Sequence, residues 1–425
     1  MGLFSHTKLI VGFDLGDEYS QISYSTTADS VETLSQVAGE ENYNIPTALC
    51  KRRGANQWSY GMEAVRNGEE DQGILVKNLV QLAKTGEPVL VDGIAFDPVA
   101  LLTLYMKRCL GMLTQIASPD KMTALMITCG SLDKRLIEIL SQVVEGLHLK
   151  NTQVCFQSHQ ESFFHYVMKQ PPELFRQQVL LLEYTGTRVI SFCMECNRRT
   201  TPVVAYIENW EYNMPPYEPM PEDEELRKDK MNRLDREFAG IASQVCRQTA
   251  VSAVYLIGEN YSEEWMKESL RVLCMGRRVF QGDNLYSKGA CHAMCERVKP
   301  TETGKNFVFL GEDKLKSNIG MQVFERGKET YLALLDAGVN WYEAKQNFEC
   351  YARGGNELEL RIISLIGGES RTVSVTLEDM LPGMNRLRIS MYLAGEKELV
   401  MEVEDLGFGE FRPATHQKWK KQIAL

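Results

Sequence analysis

Two copies of one short pattern constrain the fold more than any other feature of this chain. In residues 8–24 an apolar run ends at an acid, Asp14, and Gly16 separates it from a second run of alternating polarity. In residues 179–194 an apolar run likewise ends at an acid, Glu183, and the chain returns after a glycine. Such runs predict strands, and the glycines predict tight turns between them. Each copy is therefore predicted to be a β-hairpin with an acid near the end of its first strand.

A hairpin of this kind can serve phosphate chemistry. A glycine turn at a strand end can bring backbone N–H groups close to a phosphate, and the acid can hold a hydrated magnesium ion. Ordinary hairpins also contain Asp-x-Gly, so this pattern alone does not distinguish a structural turn from a nucleotide site. The rest of the sequence has to be considered.

The composition excludes several classes of partner. The 425 residues carry a net charge of −10 with a sequence pI near 5.4, which argues against nucleic acid or an anionic membrane as the main partner. No run reaches the ~18 apolar residues of a membrane helix, and the N-terminus lacks the apolar core of a secretory signal. The eleven cysteines are scattered, and the single CxxC, Cys193 and Cys196, has no second pair at zinc spacing. We therefore expect no membrane, no bound zinc, reduced thiols and a cytoplasmic location.

The order of the patterns predicts an α/β region followed by an all-β region. Strand and helix patterns alternate up to about residue 300, whereas residues 316–405 alternate in polarity with turn residues between short runs. The second pattern predicts a separate antiparallel β-sandwich. Within the α/β region, residues 214–225 are rich in proline and acids, which predicts an exposed loop.

Further segments, taken in order along the chain, resemble a known family. They are Asp14-Leu15-Gly16, Ile45-Pro46-Thr47, Tyr60-Gly61-Met62-Glu63-Ala64, Gln160-Glu161-Ser162, Glu183-Tyr184-Thr185-Gly186-Thr187, Leu256-Ile257-Gly258-Glu259 and Gly289-Ala290-Cys291-His292-Ala293. Their order resembles actin and the seventy-kilodalton heat-shock chaperones, and also uncharacterised bacterial proteins with a degenerate form of that layout.

The resemblance implies a fold for nearly the whole chain. Residues 1–300 would form a two-lobed, actin-like (ribonuclease-H-like) ATPase domain, with one lobe over about 1–178 and the other over about 179–300. Residues 301–425 would form a β-sandwich like the chaperones' peptide-binding domain, without a helical lid.

The resemblance also implies a set of site residues for ATP or ADP with magnesium. Lys77 and Glu161 would assist the attacking water, and Asp14 and Glu183 would organise the magnesium ion. The nucleotide would contact these two acids and the turn residues Gly16, Asp17, Gly186, Thr187, Gly258 and Glu259.

Departures from the family pattern predict that hydrolysis is lost. Where the chaperones have two small hydroxyl residues after the first turn, this chain has Asp17 and Glu18. Each carboxylate would repel a polyphosphate by about 1 kcal/mol even in a water-like dielectric. Gly258 also follows Glu183 by only 75 residues, so the part of the second lobe that covers the base is reduced or absent. Phosphoryl transfer depends on positioning and electrostatics, so we expect no ATPase activity and no nucleotide cofactor.

Three functions remain open at this stage. The favoured one is a pseudo-ATPase scaffold whose β-sandwich binds a protein or peptide by strand addition, with Trp341, Tyr342 and Phe348 lining the groove. The alternatives are a working chaperone-like ATPase and a sugar-kinase-like phosphotransferase of the same fold.

Several of these residues also have a structural interpretation. Lys77 can be a surface lysine, and Glu161 can cap a helix that starts at Ser162. We interpret His159 and His165, which flank that helix, as structural. The three aromatic residues of the β-region can instead be core.

Overall fold

The computed structural model describes residues 8–27, 30–37, 39–215, 220–247, 250–258, 260–282, 284–353, 355–365 and 370–425. It is a mixed α/β protein with several sheets, which confirms the predicted class at that level. No helix among these residues is long and apolar enough to span a bilayer.

The chain divides into two compact units. The first comprises Met1–Asn197 and Ile207–Phe307, and the second comprises Arg198–Tyr206 and Val308–Leu425. A short segment before residue 207 therefore belongs to the unit that contains the C-terminal strands.

The first half of the α/β region contains eleven strands and five helices in its described residues. The strands are β1 (Leu9–Leu15), β2 (Tyr19–Thr27), β3 (Ser30–Thr33), β4 (Ile45–Pro46), β5 (Leu49–Arg52), β6 (Trp58–Tyr60), β7 (Gly73–Val76), β8 (Val89–Val91), β9 (Ile94–Phe96), β10 (Met122–Cys129) and β11 (Gln153–Ser158). The helices are α1 (Gly61–Glu69), α2 (Leu79–Thr85), α3 (Pro98–Gly111), α4 (Lys134–Leu147) and α5 (His159–Met168).

The second half begins at residue 178. Its described strands are β12 (Gln178–Thr185), β13 (Arg188–Asn197), β14 (Val203–Asn213), β15 (Val251–Ile257), β16 (Arg278–Gln281) and β17 (Phe307–Phe309). Its described helices are α6 (Glu224–Arg247), α7 (Glu268–Leu273), α8 (Leu285–Val298) and α9 (Glu302–Lys305).

The two main sheets repeat one arrangement of strands. The first has the order β11-β10-β1-β2-β3, with β4 also paired to β2, and the second has the order β16-β15-β12-β13-β14, with β17 at its outer edge. In each, the first hairpin strand pairs antiparallel with the strand that returns from the turn and parallel with a later strand on its other side. Asp14 lies opposite Thr128 of β10, and Glu183 lies opposite Ile257 of β15. The two acids therefore occupy corresponding ends of the two sheets.

Helix α8 follows strand β16 of the second sheet in the chain but packs against strands β1, β2 and β10 of the first sheet. Two glycines allow this close approach. A Cβ on Gly12 would lie 2.3 Å from the backbone nitrogen of Cys291, and a Cβ on Gly289 would lie 1.9 Å from the carbonyl oxygen of Ser162 in α5. Because there is no room for a side chain at either position, the backbone of α8 lies directly against the backbones of β1 and α5.

The described residues of the second unit form two four-stranded sheets with antiparallel neighbours. Their strands are β18 (Ser317–Glu325), β19 (Lys328–Leu335), β20 (Lys345–Arg353), β21 (Glu357–Ser364), β22 (Arg371–Thr376), β23 (Met384–Gly395), β24 (Glu398–Asp405) and β25 (Lys418–Ala424). The sheet orders are β19-β18-β21-β22 and β20-β23-β24-β25. On the exposed face of the second of these sheets, Glu349 bonds Arg386 (2.7 Å) and Arg388 (3.2 Å), and Arg388 reaches Glu404 (3.5 Å). This face is a solvated ladder of cross-strand charges.

Candidate functional site

The acid of the first hairpin forms an ion pair with a histidine. Asp14 is only 9% exposed, and its Oδ1 lies 2.7 Å from Nε2 of His159. His159 is the first residue of α5, which begins there because the Ser158 side chain caps it by accepting from the backbone N–H of Glu161. Strand β11 and this cap aim the imidazole at the end of β1.

The acid of the second hairpin bonds a tyrosine that contacts the same histidine. The ring of Tyr286, in the first turn of α8, stacks on His159 with centroids 3.8 Å apart and an interplanar angle of 13°. The Tyr286 hydroxyl donates to Oε2 of Glu183 at 2.9 Å. Asp14, His159, Tyr286 and Glu183 thus form a continuous chain of side chains, which we call the bridging cluster. It joins the ends of the two repeated hairpins.

The electrostatics of the bridging cluster favour a charged histidine. Burial alone would lower the pKa of His159, but the charge and hydrogen bond of Asp14 outweigh it and raise this pKa above its ordinary value. Burial raises the pKa of Glu183, although His159 and the Tyr286 hydroxyl oppose that rise. Burial and the neighbouring Glu183 also hold the pKa of Tyr286 well above its usual range. The tyrosine therefore stays a hydrogen-bond donor at neutral pH.

Other residues of the first turn of α8 attach it to the first sheet. The Ser287 hydroxyl lies 2.8 Å from that of Ser23, and the side-chain amide of Asn284 donates to Oγ1 of Thr33 at 3.0 Å. Ser23 and Thr33 are cross-strand partners on β2 and β3. One helical turn therefore contacts both hairpin acids, directly or through His159, and the adjoining strands.

The first predicted phosphate turn is closed by its own backbone. The N–H of Gly16 donates to the carbonyl of Tyr19 at 3.1 Å, and the carbonyl of Gly16 accepts from the hydroxyl of Thr47 at 2.9 Å. Asp17 and Glu18 are exposed at the tip of this turn, where Gln81 donates to Asp17 at 3.1 Å. The N–H of Gly16, which would have to approach a phosphate, is therefore already hydrogen-bonded.

The second and third predicted turns lie side by side. Gly186 and Thr187 form an exposed two-residue turn between β12 and β13, in which Gly186 has φ +58°. Gly258 has φ +112°, and a Cβ there would lie 2.5 Å from the carbonyl oxygen of Tyr184, so only glycine fits. Glu259, which was also assigned to the nucleotide, lies outside the described residues.

The two residues predicted to act in catalysis, Lys77 and Glu161, lie in different segments of the first unit. Lys77 is exposed between β7 and α2, and no ion pair of the described residues includes it. Glu161 is buried, at 4% exposure, and its Oε1 lies 3.7 Å from Nε2 of His165 one turn further along α5. The structural interpretation of Glu161 as a cap for a helix starting at Ser162 is wrong, because α5 starts at His159 and is capped by Ser158.

Helix α7 is short, spanning only Glu268–Leu273. Its N-terminus is bound by the buried carboxylate of Asp235 from α6, which accepts from the backbone N–H groups of Lys267, Glu268 and Ser269 at 3.1, 2.7 and 2.9 Å. Burial opposes ionisation of Asp235, but the hydrogen bond from the Ser269 hydroxyl at 2.6 Å and these backbone bonds outweigh it and lower its pKa. An internal carboxylate thus occupies the end of α7 that favours an anion.

The aromatic residues predicted to bind a peptide differ in accessibility. Trp341 is 6% exposed and meets the ring of Tyr342 edge-on at 5.5 Å, so it packs inside the second unit. Tyr342 and Phe348 are half-buried, and Phe348 lies on β20, an edge strand of its sheet. Phe348 is therefore the best placed of the three to meet an added strand.

Within the described ranges, no group of three or more His, Cys, Asp and Glu side chains is arranged to hold a metal ion. Asp14 and Glu183, which the resemblance assigns to magnesium, each have a protein partner instead. Sequence reasoning missed both partners. It treated His159 as structural and did not consider Tyr286, and only the position of each in the first turn of a helix near a predicted hairpin could have indicated them.

The fold and site define a mixed α/β protein in which two acid-bearing hairpins are joined through a histidine–tyrosine stack. The chain belongs to the family of unknown function DUF5716, whose C-terminal model matches residues 30–312. A domain of unknown function, DUF8552, matches residues 314–425. No curated protein matches the chain.

Proposed function

We propose that this chain is a pseudo-ATPase of the actin and heat-shock-chaperone type that serves as a scaffold for a protein or peptide partner in the cytoplasm. The repeated strand arrangement supports the two-lobed, actin-like part of the proposal. Each sheet carries an acid at the same strand end, as the resemblance implies for a fold with a duplicated hairpin. The lobes would share the helix α8.

The bridging cluster is the main observation that supports the proposed loss of nucleotide binding and hydrolysis. To bind a magnesium nucleotide as the family does, Asp14 would have to give up His159, and Glu183 would have to give up Tyr286. Breaking a buried ion pair from one side costs about 3–5 kcal/mol. The imidazolium of His159 supplies beside Asp14 the positive charge that a magnesium ion would supply. The residues of this site therefore do not fit magnesium and a nucleotide.

The turns around the cluster argue in the same direction. The amide of Gly16 is bonded within its own turn, and Asp17 and Glu18 add two exposed carboxylates at that end of the hairpin. These charges repel a polyphosphate, and the Gly16 N–H is not free to offset that repulsion.

The second unit is the proposed partner-binding part. Its two four-stranded antiparallel sheets support a β-sandwich, and β20 is an edge strand that carries the half-buried Phe348. An edge strand offers unpaired backbone groups to an extended peptide, and a neighbouring aromatic side chain adds apolar contact.

The first experiment is thermal unfolding of the full chain with and without millimolar Mg-ATP or Mg-ADP. A ligand at a hundred times its Kd would stabilise the protein by ~2.7 kcal/mol. We expect no shift in Tm and no release of phosphate. A shift that Asp14→Ala abolishes would instead support a working chaperone-like ATPase, and sugar-dependent formation of ADP would support a phosphotransferase.

The second experiment tests the scaffold. Reduced, carboxymethylated α-lactalbumin carrying a fluorescent label is a soluble unfolded chain, and its anisotropy should rise when it binds. Phe348→Ser should weaken binding, whereas Phe324→Ser, which replaces an 81% exposed phenylalanine on β18, should not. Equal effects of the two substitutions would contradict the assignment to β20.

A further inference from the structure

A cleft separate from the bridging cluster lies between α3 and the start of α1. It has a volume of about 540 Å³ and is lined by Tyr60, Leu104, Lys107, Arg108 and Gly111. Small-molecule sites in proteins commonly have volumes of about 300–1,000 Å³. The cleft is therefore large enough for a small organic ligand.

The wall of the cleft that contains Tyr60 is held rigidly. Tyr60 is the residue before α1, and the next residue, Gly61, has φ +60° and donates its N–H to the carbonyl of Ala48 at 3.1 Å. A Cβ on Gly61 would approach the side chain of Ile45 to 3.2 Å. This turn fixes the backbone from which the Tyr60 side chain extends.

The opposite wall is the exposed side of α3, and the buried side of that helix fixes it in place. Leu102, Tyr105, Met106 and Cys109 are fully buried, and the Tyr105 hydroxyl donates to the carbonyl of Ile45 at 3.2 Å. The backbone of both walls is therefore in place before any ligand arrives, which reduces the entropic cost of binding.

The charge of the cleft is opposite to that of the chain as a whole. Lys107 and Arg108 are exposed, and no ion pair between described residues includes either of them, although the protein has a net charge of −10. A lysine or arginine near a helix C-terminus often does no more than stabilise the helix dipole. Here the N–H of Met112 already donates to the carbonyls of Cys109 and Leu110, so these two carbonyls at the helix end do not lack a donor. A role limited to the helix dipole would also not explain why the two cations line a cleft together with an aromatic ring.

The Tyr60 side chain adds a neutral donor to these cations. Burial and, to a lesser extent, the charges of Cys109 and Glu63 raise its pKa, and Arg108 opposes the rise. The phenol therefore keeps its proton at neutral pH. Leu104, the Tyr60 ring and the aliphatic stems of Lys107 and Arg108 supply apolar surface.

We infer that this cleft binds a small organic anion, in which a carboxylate or phosphate head meets Lys107 and Arg108 and a short apolar body lies against Leu104 and Tyr60. The guanidinium of Arg108 matches either head through paired hydrogen bonds, and the ammonium of Lys107 adds a point charge. This inference does not depend on the proposed function, because no residue of the cleft belongs to the bridging cluster.

The test uses isothermal titration of the full chain, without nucleotide, with four ligands that share one tail: octanoate, octyl phosphate, octanol and octyltrimethylammonium. We expect octanoate or octyl phosphate to bind at least about tenfold more tightly than the neutral and cationic ligands, since hydrogen bonds to charged groups carry such differences. The ratio of the two anions distinguishes a carboxylate site from a phosphate site.

Substitutions locate the binding. Lys107→Glu/Arg108→Glu should abolish it, and Lys107→Met/Arg108→Met, which keeps the stems, should weaken it about tenfold or more if the fold is retained. The matched control is Lys134→Glu/Arg135→Glu, a neighbouring lysine–arginine pair in the exposed first turn of α4, which changes the net charge equally. Equal binding of octanol, no binding of any ligand, or full binding by both cleft variants would overturn the inference.

Discussion

The ion pair between Asp14 and His159 is the contact whose loss we expect to cost most. The two side chains are 12% and 16% exposed, and their atoms lie 2.7 Å apart. His159→Gln leaves the carboxylate enclosed without its cation and removes the ring that stacks on Tyr286. Breaking a buried ion pair from one side costs about 3–5 kcal/mol, and the residual exposure puts this pair near the lower end, at about 3 kcal/mol.

A double-mutant cycle isolates this interaction. Asp14→Asn, His159→Gln and the double variant are unfolded by urea or followed by calorimetry. The double variant should lose less stability than the two single losses added together, with a coupling of about 1.5–3 kcal/mol, because it leaves no unpaired charge. The control cycle uses Arg188 and Glu211, an ion pair at 2.9 Å whose side chains are more than half exposed, where the coupling should stay below about 1 kcal/mol. If the double variant loses as much stability as the two single variants together, to within about 0.5 kcal/mol, the reasoning is refuted.

Three more predictions concern the bridging cluster and the packing of α8. Tyr286→Phe should cost about 2 kcal/mol in the free energy of unfolding and raise the pKa of Glu183 further, because that carboxyl loses its donor; pH-dependent calorimetry measures both. Since the folded pKa of His159 is raised, its contribution to stability is fully present below its unfolded pKa of about 6.5 and is lost as the pH rises through the folded value. Stability that falls over this range equally in the wild type and in His159→Gln would contradict this assignment. Gly289→Ala should destabilise the protein by at least about 1–3 kcal/mol, whereas Gly240→Ala, in open space on α6, should stabilise it by up to about 1 kcal/mol; melting temperatures that move in the same direction would contradict the packing described for α8.

The parts of the fold that depend on local pattern could be predicted from the sequence. The two hairpins were found because an apolar run, an acid and a glycine lie within a few residues of each other, and Asp14 and Glu183 lie at corresponding strand ends. The alternation after residue 316 likewise indicated antiparallel strands, since the period of a strand is visible in the residues themselves.

The contacts of the site could not be predicted in the same way. His159 follows Asp14 by 145 residues and Tyr286 follows Glu183 by 103, and no local periodicity connects such distant positions. The start of α7 could not be predicted from its own residues either, because a carboxylate of another helix, Asp235, determines it. Local pattern identified which residues form each element, but it could not identify which side chains of different elements would meet.

The crossing of α8 over β1 and α5 has a consequence for motion. Helices that slide past one another usually do so by changing side-chain rotamers at their contact, yet at Gly12 and Gly289 the contacting atoms belong to the main chain. Shear at this crossing would require main-chain atoms to separate, which exposes amides and carbonyls of both elements together. Hydrogen exchange of the central α8 and β1 amides should therefore require opening of the whole first unit, so that these three elements act as one cooperative block around which the outer strands can fray.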